Sequence, residues 1–305
     1  MSEIIFIVGP TAVGKSEVAY QLARHLNAGI VSCDSMLIYK GPQIITAKPN
    51  FRMLSEINHH FVGTISVEEA YSVFDYYSAA TKTIRDLFHQ NIPAIVCGGS
   101  GLYVKSLLDG IFEGVGRDEG LRKKLEERAH AYGKEYLYAE LKSLDEPAAK
   151  KISPSDLKRI IRALEVYYLT GMPISKKQAY SFGLWQDLPI KIFGLRLERK
   201  ELYRRIEERL ERMFKEGAVD EVIGLRQFNL SLTAKKIIGI KEIGEYLDGR
   251  CTLEKAKEEM KKNTRHFAKR QMTWFRADKR IEWIDISGKT PEEVCGVILG
   301  KIEAE

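Results

Sequence analysis

The chain opens with Glu3-Ile4-Ile5-Phe6-Ile7-Val8-Gly9-Pro10-Thr11-Ala12-Val13-Gly14-Lys15-Ser16, and two physical signals meet in it. Residues 3 to 8 are a near-continuous apolar run, the pattern of a strand buried on both faces. The next eight fit G-x-x-x-x-G-K-[ST]. After them, Val18, Ala19, Leu22, Ala23 and Leu26 recur on one face of a predicted helix. A glycine-rich loop between a buried strand and a helix start is a P-loop. Its glycines let the backbone N–H groups converge on phosphate oxygens, the helix N-terminus adds positive potential, and the lysine adds a mobile charge. Gly9, Thr11, Ala12, Val13, Gly14, Lys15 and Ser16 are therefore the candidate phosphate-binding residues, with the Ser16 hydroxyl as candidate ligand for Mg²⁺.

Outward from this loop, Ile30 to Cys33 and Ile92 to Cys97 read as further buried strands, the second following an amphipathic segment from Tyr76 to Phe88. Strand signals return at Ile190 to Leu197 and at Ile281 to Ile286, with a long helix from Leu202 to Phe214 between them. Alternating strands and helices predict an α/β fold, a P-loop NTPase-like parallel sheet with flanking helices. From about Glu113 to Trp185 only helical patterns occur, rich in Lys, Arg and Glu. The expected organisation is a catalytic core of residues 1–112 and 190–305, split by an all-helical insertion of 113–189. The clearest insertion helix is expected to open at Ser153-Pro154-Ser155-Asp156, with Ser153 as N-cap, and to end at Gly171 and Pro173.

The bulk properties narrow the class. Over 305 residues, 44% hydrophobic and 30% charged is the balance of a folded globular chain. No stretch approaches the roughly 18 uncharged apolar residues of a membrane span, so no membrane association is expected, and a cytoplasmic monomer is. The cysteines Cys33, Cys97, Cys251 and Cys295 are scattered without zinc or redox spacing and are expected to be reduced thiols. His59 and His60 are adjacent, a poor arrangement for chelating one ion. A net charge of +6 permits a nucleic-acid partner.

Many P-loop proteins place an aspartate at the end of a further apolar strand, here the one from Ile92 to Cys97, to hold the Mg²⁺ shell. Here that strand runs into Gly98-Gly99-Ser100-Gly101, so a motor or GTPase-type switch is not expected. A small-molecule kinase remains, or an enzyme whose P-loop holds a pyrophosphate leaving group. Asp34 follows the strand Ile30 to Cys33 and should emerge at the same carboxyl edge as the P-loop, where it is either a turn former or a base.

The run Asp34-Ser35-Met36-Leu37-Ile38-Tyr39-Lys40-Gly41, continued by Thr46-Ala47-Lys48-Pro49, resembles the signature of bacterial tRNA dimethylallyltransferases. Gly98 to Tyr103, Arg162-Ala163-Leu164-Glu165-Val166, Ile238 to Glu242, Thr264-Arg265 and Ala268 to Arg276 resemble further motifs of that family, so the likeness extends from residue 4 to about residue 285. The resemblance implies transfer of a dimethylallyl group from dimethylallyl pyrophosphate to N6 of the adenine just 3′ of the tRNA anticodon, with Mg²⁺ and without ATP. It implies Asp34 as catalytic base, Ser100 beside it where most relatives have Thr, and Arg209 as a second pyrophosphate ligand. It implies tRNA contacts from Asp34, Ser35, Met36 and Leu37, from Arg122, Lys158, Arg159 and Arg162 in the insertion, from Lys236 and Lys241, and from Arg265, Lys269, Arg270 and Arg276.

The residues agree with that surface. Lys262, Arg265, Lys269, Thr273, Arg276 and Arg280 recur at helical spacing as a basic stripe, which can follow a phosphate backbone or pair internally with Glu258 and Glu259. Pro42, Ile45, Ser100 and Ile240 depart from the family pattern. Ile45 stands where glycine is usual, and because a β-branched residue lacks glycine's backbone freedom, the loop after Asp34 is expected to differ. The alternatives carried forward are an adenylate isopentenyltransferase, a P-loop small-molecule kinase, and a tRNA-binding paralogue without activity.

Overall fold

The computed structural model describes residues 3–112 and 116–304. It divides into two compact units, Met1–Leu108 with Asp187–Glu305, and Asp109–Gln186. The expected insertion boundary at Glu113 lies outside the described residues, as do the chain ends.

The first unit contains β1 (Ile4–Val8), α1 (Lys15–Leu26), β2 (Gly29–Ser32), α2 (Phe51–Glu56), β3 (His59–His60), α3 (Val73–His89), β4 (Ala94–Gly98) and α4 (Gly101–Asp109). The second holds α5 (Glu119–Tyr132), α6 (Lys134–Leu144), α7 (Glu146–Lys151), α8 (Leu157–Thr170) and α9 (Ile174–Ala179). The first resumes with β5 (Ile190–Arg196), α10 (Arg199–Lys215), α11 (Ala218–Leu225), α12 (Ile240–Leu247), α13 (Leu253–Arg276), β6 (Glu282–Asp285) and α14 (Pro291–Glu303). Among the described residues no helix is long and apolar enough to cross a membrane.

The strands form one sheet in the order β3-β2-β4-β1-β5-β6, and every pair is parallel. Every residue of β1 is buried, as its unbroken apolar run requires. Ile5 and Ile7 pack in one cluster with Val18 and Leu22 of α1, Ile95 of β4, Phe193 and Leu195 of β5, Ile206 of α10 and Ile298 of α14. The chain leaves β1 in one direction, to β2 and back to β4, and later in the other, to β5. The carboxyl ends of β1 and β4 thus flank a topological switch point, where open α/β sheets bind ligands. His59-His60, absent from the expected strands, pairs with β2 as a two-residue edge strand. Burial lowers the pKa of both imidazoles.

The insertion helices enclose their own core, including Leu125, Leu137, Leu141, Ile160, Ile161 and Leu164. Helix α8 begins later than expected: Asp156, not Ser153, is the N-cap, accepting from the Arg159 N–H at 3.2 Å. The Ser153 hydroxyl instead accepts from the Ser155 N–H, closing a turn ahead of the helix. Gly171 ends α8 in the left-handed conformation at φ 67°. The fully buried Glu165 carboxylate accepts from Arg122 Nε and Nη2, both at 2.7 Å, from Arg162 Nη1 at 2.6 Å and from the Asp118 N–H at 3.0 Å. Burial opposes its ionisation, yet the two guanidiniums and the N–H outweigh that cost and hold the carboxyl at about 2.

A carboxyl depressed below its ordinary value of 4.5 stabilises the fold fully above that value, and the contribution disappears as pH falls through about 2. Glu165→Gln should therefore lower stability at neutral pH by about 3 kcal/mol, measured by denaturant unfolding. Its difference from the wild type should shrink as pH falls from 4.5 toward 2; a pH-independent difference would remove the carboxylate from this role.

Candidate active site

Because the strands are parallel, their carboxyl ends gather four loops at one edge: the P-loop after β1, Asp34 after β2, Gly98-Gly99-Ser100 at β4, and the end of β5. Gly9 turns with φ 146°, and a Cβ there would stand 2.6 Å from the Leu195 carbonyl oxygen, so β5 packs directly against the turn. Ala12 follows in the left-handed region at φ 64°, a conformation costing a non-glycine residue about 1 kcal/mol. Such strain persists where the surrounding structure enforces it. Gly14 caps α1 at φ 96°, placing Lys15 and Ser16 in the first helical turn.

Lys15 is half-buried, and its Nζ donates to the Pro10 carbonyl at 2.7 Å. Burial lowers its pKa, Asp34 and Cys97 act to raise it, and Arg209 lowers it further. Arg209 on α10 donates Nη1 to the Thr11 hydroxyl at 3.1 Å, and it too feels Asp34. The structure thus brings together the P-loop, Lys15, Arg209 and Asp34. Two cations flank the loop and a carboxylate stands within their electrostatic reach, an arrangement that favours an anion of high charge density.

Asp34 is locked by a local turn: its Oδ1 accepts from the Met36 N–H at 2.8 Å, and Oδ2 makes no hydrogen bond among the described residues. Ser100 braces that turn from β4, its hydroxyl accepting from the Ser35 N–H at 2.9 Å and donating to Ser35 Oγ at 3.2 Å. The backbone repeats the link, with Ser100 N–H donating to the Cys33 carbonyl at 3.1 Å. Cys33 and Cys97 beneath the site are buried free thiols, and burial pushes Cys97 up to about 12. Neither is a nucleophile at neutral pH.

The loop beyond Asp34 is held by a residue with no sequence signal. Glu221 on α11 accepts three successive backbone N–H groups, from Gln43 at 2.6 Å, Ile44 at 2.8 Å and Ile45 at 2.9 Å. The left-handed positions of this loop are Gly41 and Ala47, while Ile45 is buried in the core outside the left-handed region.

Of the basic stripe on α13, the N-terminal half is neutralised. Lys261 pairs with Glu211 at 3.0 Å, Lys262 with Glu259 at 3.3 Å and Arg265 with Glu207 at 3.0 Å. Lys269, Arg270 and Arg276 are exposed and have no carboxylate partner among the described residues. Beside them lies a groove of about 1080 Å³, lined by Lys105, His266, Lys269, Arg270, Trp274 and Arg280 among others. None of its lining residues belongs to the P-loop. Lys236 and Lys241 are exposed on the segment entering α12. In the insertion, Lys158 and Arg159 are exposed, whereas Arg122 and Arg162 are committed to Glu165.

These features coincide with a family. The model for IPP transferase matches residues 37–278. A tRNA dimethylallyltransferase of Natranaerobius thermophilus is 40% identical over 99% of this chain and 92% of its own. The chain belongs to the IPP transferase family. Another relative, the tRNA dimethylallyltransferase of Geobacter sulfurreducens, is 40% identical over 93% of the chain and 92% of its own. The solved tRNA isopentenylpyrophosphate transferase of Bacillus halodurans superposes with a TM-score of 0.72 at 35% identity, covering 100% of this chain and 98% of that one. A eukaryotic dimethylallyltransferase acting on tRNA shares the fold with a TM-score of 0.80 at 24% identity, over 100% of this chain and 80% of its own.

The residues suit Mg²⁺ that brings its own ligands. Among the described residues no cluster of three His, Cys, Asp or Glu could cage a metal, while Ser16 stands in the first turn of α1 beside the P-loop. A magnesium ion retaining phosphate oxygens and water needs little more from the protein.

Beyond the residues expected from sequence, Glu221 holds the loop after Asp34, and Gln271, which the α13 motif contained without a role, hydrogen-bonds to Thr11 and Gly99. Glu221→Ala should lower kcat/KM for the acceptor by about tenfold or more, as charged acceptors of backbone N–H groups are lost, with the loop amides 43–45 exchanging faster in hydrogen-exchange measurements. Unchanged amide exchange would dismiss the clamp.

Proposed function

We propose that this chain transfers a dimethylallyl group from dimethylallyl pyrophosphate to N6 of the adenine 3′-adjacent to the tRNA anticodon, giving N6-dimethylallyladenosine and pyrophosphate. The observation that carries this is the shared sheet edge: a P-loop with Lys15 and Arg209, and a fixed carboxylate, Asp34, within their field. Membership of the IPP transferase family and the names of the relatives support tRNA as the acceptor.

In this reaction the bond between N6 and the allylic carbon forms as the carbon–oxygen bond to pyrophosphate breaks. The amine lone pair is drawn into the adenine ring, so removal of its proton as the new bond forms speeds attack. Oδ2 of Asp34 takes that proton, while Oδ1 stays on the Met36 N–H and fixes the carboxylate plane. Ser100 holds the turn and so positions the base. The departing pyrophosphate remains with Lys15, the loop N–H groups and Arg209, which stabilise the charge where it accumulates. The Ser16 hydroxyl would hold Mg²⁺ beside the P-loop, and the ion would supply further charge neutralisation. The acceptor adenine must leave its stack to reach Asp34, and contacts of Lys269, Arg270 and Arg276 with the RNA backbone offset the unstacking. The protein acts as a cytoplasmic monomer.

Purified protein with Mg²⁺, unmodified tRNA and labelled dimethylallyl pyrophosphate should place label on that adenine and consume no ATP. ATP turnover would favour a small-molecule kinase, and tight tRNA binding without label a non-catalytic paralogue. Asp34→Ala should keep most of its tRNA affinity, since the basic surface is unchanged, and turn over about 10² to 10⁴ times more slowly; wild-type turnover would exclude Asp34 as base. Lys269→Ala with Arg276→Ala should weaken tRNA binding and flatten its salt dependence by roughly one logarithmic unit per lost phosphate contact. A slope equal to that of the wild type would place the RNA elsewhere.

A further inference from the structure

Gln271 lies on the face of α13 that packs onto the sheet edge and is 5% exposed. Both ends of its amide are used. Oε1 accepts from the Thr11 N–H at 2.7 Å, and Nε2 donates to the Gly99 carbonyl at 2.9 Å. One planar group therefore bridges the P-loop and the loop that carries Ser100. The fit is close: a Cβ at Gly99 would stand 2.2 Å from Nε2, so the amide occupies the space a side chain there would take.

We propose that Gln271 is a positioning residue for the pyrophosphate loop, setting donor affinity through its amide and not through its bulk. This deepens the proposed function and rests on its placement of pyrophosphate at the P-loop. Thr11 immediately precedes Ala12, the left-handed residue at which the loop begins to curl. Its backbone is held by α13 through Gln271 and its hydroxyl by α10 through Arg209. With both attachments in place, the N–H groups after Thr11 are arranged before the ligand arrives, which spares the ordering cost on binding. No other side chain serves equally. Glutamate would offer an acceptor to both partners, opposing the Gly99 carbonyl and placing a negative charge beside an anion site. Methionine would match the length and leave the Thr11 N–H and the Gly99 carbonyl without partners in a buried place. Lys269 and Arg270 precede Gln271 on the same helix and face outward, so one rigid element mounts both the donor loop and the cationic surface.

The test uses the full chain with inorganic pyrophosphate and Mg²⁺ as the probe, titrated calorimetrically without tRNA, and tRNA affinity measured separately without pyrophosphate. Gln271→Met should weaken pyrophosphate binding about tenfold, as two buried hydrogen bonds are lost, and Gln271→Glu by more, as the bond to the Gly99 carbonyl gives way to repulsion and a like charge is added beside the anion. In both, tRNA affinity should stay within about twofold of wild type, since no phosphate-contacting cation is changed. If Gln271→Glu does not fold, Gln271→Met alone decides. Pyrophosphate affinity equal to wild type in the folded variants would overturn the inference and leave the functional reading standing. Equal losses for pyrophosphate and tRNA would also overturn it, reducing Gln271 to a support of the helix. Wild-type protein that binds no pyrophosphate would instead sink the functional reading, and this inference with it.

Discussion

The parallel direction of all six strands is the constraint on which the site depends. Parallel strands end together, so residues 9, 34, 99 and 195, far apart in sequence, are delivered to one edge. Nothing in the individual loops would bring them there. The strand β1 makes that delivery rigid because it is buried throughout and flanked by β4 and β5, leaving its end no freedom to move relative to theirs. Close contact of Gly9 with the Leu195 carbonyl oxygen transmits the register of β5 to the loop. A phosphate cradle needs this rigidity, because an N–H displaced by an ångström no longer meets its oxygen.

The polar groups at that edge are joined in pairs that cross between elements. Ser100 reaches from β4 to the turn of Asp34, Arg209 from α10 to Thr11, Gln271 from α13 to both Thr11 and Gly99, and Glu221 from α11 to the loop beyond. Each loop is thereby tied to a helix or strand not adjacent to it in the chain. The loops of the site are therefore held by several elements at once.

What the sequence revealed follows from the range of the interactions involved. The strands β1, β2 and β4 were legible because burial on both faces leaves a local mark, an apolar run, whereas β5 and the edge strand β6 carry charged residues among their apolar ones. The P-loop was legible because its chemistry is carried by eight consecutive residues, and the position of Asp34 followed from the strand before it. His59-His60 escaped notice because an edge pairing of two residues leaves no apolar signature. The start of α8 was misplaced because Ser153 and Asp156 are both good caps, and only the folded turn decides between them. Gln271 and Glu221 were not legible in role: their partners are separated from them by 172 to 260 and 176 to 178 residues, and a polar residue at such range is indistinguishable from an exposed one. The place of Ile45 in the core was likewise not legible, because the residues it packs with, Gly239 among them, are distant in sequence.

The uneven pairing along α13 has a consequence for encounter. Its first half is compensated by Glu207, Glu211 and Glu259, while its last turns carry Lys269, Arg270 and Arg276, which pair with no carboxylate among the described residues. The helix therefore acts as a charge gradient more than as a uniform rod of cations, and its field is strongest toward the carboxyl end. Beyond a Debye length of about 8 Å the compensated half is nearly silent. A polyanion diffusing nearby is turned toward the uncompensated end before it touches the surface, so that orientation is settled during approach rather than by trial after collision.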